Sequence, residues 1–273
     1  MFDMQHFEGS AKENGMHYWL AHEFMAALGY ETWPSFKTVI QKAMGSCLQL
    51  GIDTDEAFLP CDLPDGTKSY KLTRFACFLI AMQADSKKPQ VSSAQIALAK
   101  IAEVLVEEKL SESGIFRIEE RSKLTFAEKQ LGTAAKTAGL VQGSDYAIFK
   151  DSGFRGMYNM SLQRLQEHKG TPTGKTLYDF MGLTELAANT FRVTQTSERL
   201  KRTQANGLTQ AKDTAHQVGK EVRDVMMRSS GVAPENLPLE GHIEDVKRQI
   251  KSANKKMKKL DTPAKPKKKK ITP

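Results

Sequence analysis

Catalysis needs particular side chains at particular spacings, and this chain offers few candidates. Gly170-Thr171-Pro172-Thr173-Gly174-Lys175-Thr176 has the look of a phosphate loop. Such a loop follows a strand and needs four residues between its glycines, so that successive backbone N–H groups curl around phosphate oxygens. Here three residues separate the glycines, and Leu162 to His168 before them reads as a helix. The six histidines do not cluster, and His17 and His22, five apart, fall on different faces of any helix. No Cys or His pair has the spacing of a zinc site. Asp65 with Glu107, Glu108 and Lys109 comes nearest to a Mg²⁺-dependent nuclease set. That chemistry gathers carboxylates around one ion, usually from adjacent strands, whereas Glu107 to Lys109 reads as a solvated helix face. No Ser or Cys lies in a nucleophile elbow. The expectation is a protein that is not an enzyme, with no catalytic residue, no metal and no cofactor.

Binding is better supplied. The 273-residue chain carries a net charge of +8, and that charge is concentrated at one end. From Lys247 to Pro273 there are twelve Lys or Arg against one acid, Asp261, which leaves residues 1–246 at −3. The segment ends in Lys267-Lys268-Lys269-Lys270 among Pro263, Pro266 and Pro273, a composition with almost nothing to bury and expected to be disordered at its end. With Lys255, Lys256, Lys258 and Lys259 it would hold DNA without sequence preference, because lysine point charges meet phosphates and not base edges. A solubilising tail is the plainer alternative.

Two further cation sets lie in periodic segments. Leu20 to Met44 has the outline of a helix–turn–helix, with Lys37 and Lys42 on its second helix; a solvated helix face would look the same. In Leu183 to Arg202, Leu183, Leu186, Val193 and Leu200 share one helical side. Arg192, Gln195, Arg199 and Arg202 recur at i, i+3, i+7 and i+10 on the other, with Phe191 beside them. A basic stripe edged by an aromatic suits a nucleic acid or an acidic protein surface, against the alternative of an ordinary exposed face near Glu185 and Glu198.

These residues must be positioned by an α+β chain that is mostly α. A turn at Asn14-Gly15 leads to a short strand ending near Trp19, and Leu20, Phe24 and Leu28 make a helical face stopped by Gly29. A helix is expected over 35–44. Asp65-Gly66 marks a hairpin turn, with a strand over 69–72. Phe75 to Met82, the longest unbroken apolar run, is far short of the ~20 residues of a membrane span. With Thr73 as its N-cap it reads as a buried helix. From Ser93 on the pattern is helical, with an interruption expected at Gly114 and a stop at Gly139. Short helices separated by Gly143, Gly153, Gly156 and the Gly170–Gly174 loop follow, then a basic helix over 243–260. Met1 to Gly9 lacks a basic region followed by an apolar core, and Cys47, Cys61 and Cys77 are odd in number and widely spaced. The expectation is a cytoplasmic protein with buried thiols.

Longer strings carry a family resemblance. Gly182-Leu183-Thr184-Glu185-Leu186-Ala187-Ala188-Asn189-Thr190-Phe191-Arg192-Val193-Thr194-Gln195-Thr196, continuing through Glu198 to Arg202, is similar to the DNA-damage-inducible protein D (DinD) family. So are Ser144 to Phe149 with Gly153, Gly156 and Tyr158, and Leu72 to Phe78 with Lys88-Pro89. Trp19 to Tyr30 resembles the start of a BRO-N domain, found in baculovirus repeated-ORF proteins and phage antirepressors. The resemblance spans roughly residues 15–240. It implies a BRO-N domain over 10–112 and a helical DinD-type domain over 113–240, followed by a basic helix and tail over 241–273 whose lysine-rich end, from Lys255, departs from the family core. It also implies a bacterial or prophage protein of the SOS response that modulates the RecA recombinase on single-stranded DNA, mainly by inhibiting strand exchange. The alternative is an antirepressor or transcriptional regulator that binds a phage repressor through BRO-N. The resemblance carries over no catalytic residue.

Overall fold

Short N-terminal elements build a small sheet around one apolar helix. In this computed structural model, which describes residues 2–106 and 112–262, α1 (Met4–Gly9) precedes β1 (Lys12–Glu13) and β2 (His17–Leu20), joined by a turn in which Gly15 has φ 77°. After α2 (Ala21–Ala27), Gly29 turns the chain at φ 72° into α3 (Trp33–Leu50). Then come α4 (Thr54–Ala57), β3 (Phe58–Asp62), β4 (Lys68–Leu72), α5 (Arg74–Gln83) and α6 (Pro89–Val106). All strands pair antiparallel in the order β1-β2-β4-β3, with Trp19 opposite Leu72 and Phe58 opposite Leu72. The β3–β4 hairpin closes through Asp65, whose carboxylate accepts the Thr67 N–H at 2.9 Å.

The apolar run folds as the buried helix its composition predicts. Every residue of α5 is buried, and the Thr73 hydroxyl accepts the Ala76 N–H at 3.2 Å. Phe75, Phe78, Leu79 and Ile80 are in the core, each contributing about 1.5–3 kcal/mol by leaving water. The second helix is longer than expected: α3 starts at Trp33 and runs until Gly51, at φ 62°, ends it. Its buried positions Phe36, Val39, Ile40, Ala43, Cys47 and Leu50 keep helical spacing throughout.

The remaining elements are α7 (Glu112–Thr137), α8 (Gly143–Tyr158), α9 (Leu162–Lys169), a 3₁₀ turn (Leu177–Phe180), α10 (Leu183–Thr203), α11 (Gly207–Ser230), a second 3₁₀ turn (Pro234–Asn236) and α12 (Ile243–Asp261). Three glycines expected to punctuate helices do not. Gly114 lies inside α7, and Gly153 and Gly156 lie inside α8. For the last two the reason is proximity. A Cβ on Gly156 would strike the backbone of His216 in α11, and one on Gly219 of α11 would stand 2.5 Å from the Gly153 carbonyl oxygen. These glycines let two helix backbones touch, and glycine's local cost is offset by that contact.

The chain divides into two units. One holds the described residues up to Ile115 together with those from Val246 on; the other is Phe116–Asp245. The sequence reading set residues 241–273 apart as a basic helix and tail. Instead, from Val246 on α12 belongs to the first unit, burying Ile250, Ala253 and Met257. Its last residue, Asp261, is fully buried and accepts the backbone N–H and the Nε–H of Arg74, both at 3.0 Å. Among the described residues no helix is long and apolar enough to cross a membrane.

Candidate partner-binding site

The face of α10 decides what this segment can contact. At ~100° per residue, Phe191, Gln195 and Arg202 fall on one side, and all three are exposed, Phe191 by 57%. The predicted four-residue stripe does not survive intact. Arg192 is 3% exposed, with Nη2 donating to Asn189 Oδ1 at 3.0 Å and to the Tyr178 hydroxyl at 3.3 Å, and its guanidinium lies over the Phe154 ring. Arg199 is half-buried and spans to α11, gripping both carboxylate oxygens of Glu221 at 2.9 and 2.6 Å. That hydrogen bonding holds the Arg199 guanidinium above its ordinary pKa and the Glu221 carboxyl below its own.

The correction has a physical cause. The buried arc of α10 is wider than its apolar arc, because polar residues fill the rest of it. Glu185, Asn189, Arg192 and Thr196 are all buried. They form a connected network: the Tyr158 hydroxyl donates to Glu185 Oε1 at 2.9 Å, Asn189 Nδ2 donates to the Tyr158 oxygen at 2.7 Å, and Lys169 Nζ reaches Glu185 at 2.9 Å and the Leu237 carbonyl at 2.8 Å. Burial raises the Glu185 carboxyl, against the pull of Lys169. Burial with Glu185 alongside raises the Tyr158 phenol. A chain of satisfied partners fixes helix positions, since each member would be costly if left alone. The network therefore serves the second unit's interior.

The end of α10, beyond the Phe191 and Gln195 face, borders a groove. A cavity of about 470 Å³ lies between α7 and the end of α10, lined by Gln130, Thr133, Thr137, Lys201 and Gln204. One turn before Gln130, Phe126 of α7 is 65% exposed. Neither Phe126 nor Lys201 belongs to the residues that periodicity singles out. A lone phenylalanine between Thr125 and Glu128 was the available sign for the former.

In the first unit both Lys37 and Lys42 of α3 are exposed. Lys37 borders a cavity of about 360 Å³ with Trp33, Cys61, Lys68 and Tyr70, and Trp33 stacks on His22, whose Nδ1 is 2.8 Å from the Ser69 hydroxyl. Lys42, five residues on, points from a different side of the helix. On α12, Lys255, Lys256 and Lys259 are exposed, while Lys258 pairs with Glu56. Lys267, Lys268, Lys269 and Lys270 lie outside the described residues, as do Glu107 to Lys109 of the acidic set. Cys47 and Cys77 are buried, and desolvation pushes the Cys47 thiol up to about 12. Among the described residues no group of three or more His, Cys, Asp or Glu could hold a metal ion. Gly170 and Gly174 follow helix α9 with φ 70° and 76°, so no strand leads into this loop as a phosphate loop requires.

Two family models match the chain in succession. Residues 9–105 match the BRO family, N-terminal domain, and residues 111–246 match the DinD C-terminal domain. Over 259 residues the chain is 32% identical to DNA damage-inducible protein D of Escherichia coli (strain K12), covering 89% of this chain and 94% of that protein. With both domain matches in order and a relation running nearly end to end, the chain belongs to the DNA damage-inducible protein D family.

Proposed function

We propose that this protein is a non-enzymatic regulator of the DNA-damage response that binds a recombinase–DNA filament of the RecA type and restrains strand exchange. The observation that carries the reading is the near full-length relation to a protein named as DNA damage-inducible. The recognition face is Phe191, Gln195 and Arg202 of α10, an exposed aromatic flanked by a donor and a cation. Aromatic and arginine side chains dominate binding energy at such contacts, and loss of one anchor costs more than ~1.4 kcal/mol, or tenfold in affinity. Arg192 belongs to the interior and takes no part.

The test is capture of the protein by filaments assembled on single-stranded DNA. Phe191→Ala with Arg202→Glu is expected to weaken capture at least ~10-fold. Unchanged capture removes the α10 face, and failure of the parent protein to bind filaments at all removes the function.

The match of residues 9–105 to the BRO family supports a second reading, an antirepressor acting through the first unit with Lys37 and Lys42 at its surface. A nuclease-treated pull-down from cells given DNA damage separates the two: the recombinase is expected, and a phage repressor in its place would favour the second.

A further inference from the structure

We infer that the outward face of α12 is a rigid contact surface for the phosphodiester backbone of nucleic acid, built into the first unit and distinct from the lysine run that follows it. The inference rests on the proposed role at DNA for its biological setting and on the geometry of α12 for its substance. Between Val246 and Leu260 the helix has seven Lys or Arg and no acidic residue. Lys251, Lys255 and Lys259 recur at i, i+4 and i+8, and all three are exposed. At 1.5 Å per residue they form a stripe about 12 Å long, which matches roughly three to four phosphates of one duplex strand. Glu56 does not neutralise the stripe, because it is engaged by Lys258 to one side.

Two features make this a surface and not a loose polycation. The opposite side of the helix is fixed: Ile250, Ala253 and Met257 are 0–1% exposed within the first unit. The far end is also fixed, by the buried carboxylate of Asp261 on Arg74, 187 residues earlier in the chain. The lysines therefore keep their relative positions, and binding need not order the backbone that carries them. The same burial argues against a lipid surface as the partner. An amphipathic helix binds membranes through its apolar side, and here that side is already covered by protein. Residues 1–246, at a net −3, offer a polyanion no comparable overall attraction.

The experiment measures the salt dependence of binding to a labelled duplex of arbitrary sequence, using the full-length protein. Lys251→Gln/Lys255→Gln/Lys259→Gln is expected to reduce the slope of log K against log salt by about 2–3, at ~0.9 per phosphate contact. Removal of residues 263–273 from either protein should leave that difference in place. An unchanged slope in the triple variant overturns the proposal, as does a difference that disappears once residues 263–273 are removed. Stripe-dependent binding to phosphatidylserine vesicles with none to duplex also overturns it, in favour of a lipid surface. Unfolding followed by tryptophan fluorescence checks that the variant's first unit is intact, because Trp19 and Trp33 both lie there. Filament capture by the recombinase is scored separately. Absent capture with an altered slope defeats the recombinase reading alone; normal capture with an unchanged slope defeats the stripe alone.

Discussion

Asp261→Ala is the most informative single change in the first unit. The Asp261 side chain is fully buried and that of Arg74 is 6% exposed. One carboxylate oxygen takes the Arg74 backbone N–H at the start of α5, where a helix has unsatisfied donors and favours negative charge. The other takes the guanidinium Nε–H. Burial alone would lower the pKa of Arg74, but Glu8 and Asp261 outweigh it and hold the group above its ordinary value. Alanine leaves a buried cation and an open helix N-terminus. Breaking a buried pair from one side costs about 3–5 kcal/mol. Glu8, also paired with Arg74 and 42% exposed, retains part of the compensation, which places the expected loss near ~3 kcal/mol. The assay is urea unfolding read by the chain's two tryptophans, both in the first unit, with Trp19 directly under the Arg74 guanidinium at 4.9 Å. With a denaturant slope of ~1–3 kcal/mol per molar, the midpoint should fall by roughly 1–3 M. The double variant Arg74→Met/Asp261→Leu should recover most of the loss, since no buried charge is left unpaired and Glu8 is open to water. A midpoint shift below ~0.3 M, or a double variant as weak as the single one, refutes the claim that α12 is locked into this core.

Two predictions concern the second unit. Gly219→Ala should destabilise it by about 1–3 kcal/mol through overpacking, although alanine ordinarily gains about 1 kcal/mol over glycine in a helix, because its Cβ would meet the Gly153 carbonyl oxygen at 2.5 Å and the Met157 nitrogen at 2.8 Å; stabilisation in thermal unfolding would show that α8 and α11 are not in backbone contact. Glu235 of the second 3₁₀ turn pairs with Arg223 of α11, and although burial raises its carboxyl, the Arg223 hydrogen bond and charge bring it below 4.5. A depressed carboxyl adds stability above its unfolded pKa and loses it as pH falls through the folded one, so Glu235→Gln should be less stable than the parent at neutral pH, with the gap closing below 4.5 in urea titrations; a gap independent of pH would sink the assignment.

Local signals were legible where one short stretch decides the outcome. Thr73 before an apolar run yields a capped, buried helix, and Asp65-Gly66 yields a hairpin turn. At Gly29 and Gly139 the expected stops have positive φ. The strings that carried the family resemblance were legible too. Part of what they hold is the Glu185, Asn189, Arg192 and Thr196 network, and sequence periodicity misassigned its Arg192. Periodicity sorts residues by polarity, and a helix whose interior face is itself polar defeats that sorting. Arg192 and Arg202 have the same side-chain chemistry on the same helix; besides Asn189, the neighbours that hold Arg192 inside are Tyr178 and Phe154, and these two come from other segments. Gly153 and Gly156 failed for the same reason. Their value lies in the approach of α11, which no window on α8 can contain.

The two family matches end at residues 105 and 246, so everything that completes the first unit from α12 lies beyond both of them. A boundary drawn from those matches would remove Ile250, Ala253 and Met257 from an apolar surface and Asp261 from Arg74. A basic, polar segment would be discarded as a tail because its mean composition hides one apolar side and one buried acid. That acid is the only one from Lys247 to the end of the chain. A carboxylate among so many lysines would find ample partners in solvent at the surface. Its burial on an arginine of α5 therefore comes from the fold that places it there, and it positions the lysines that precede it.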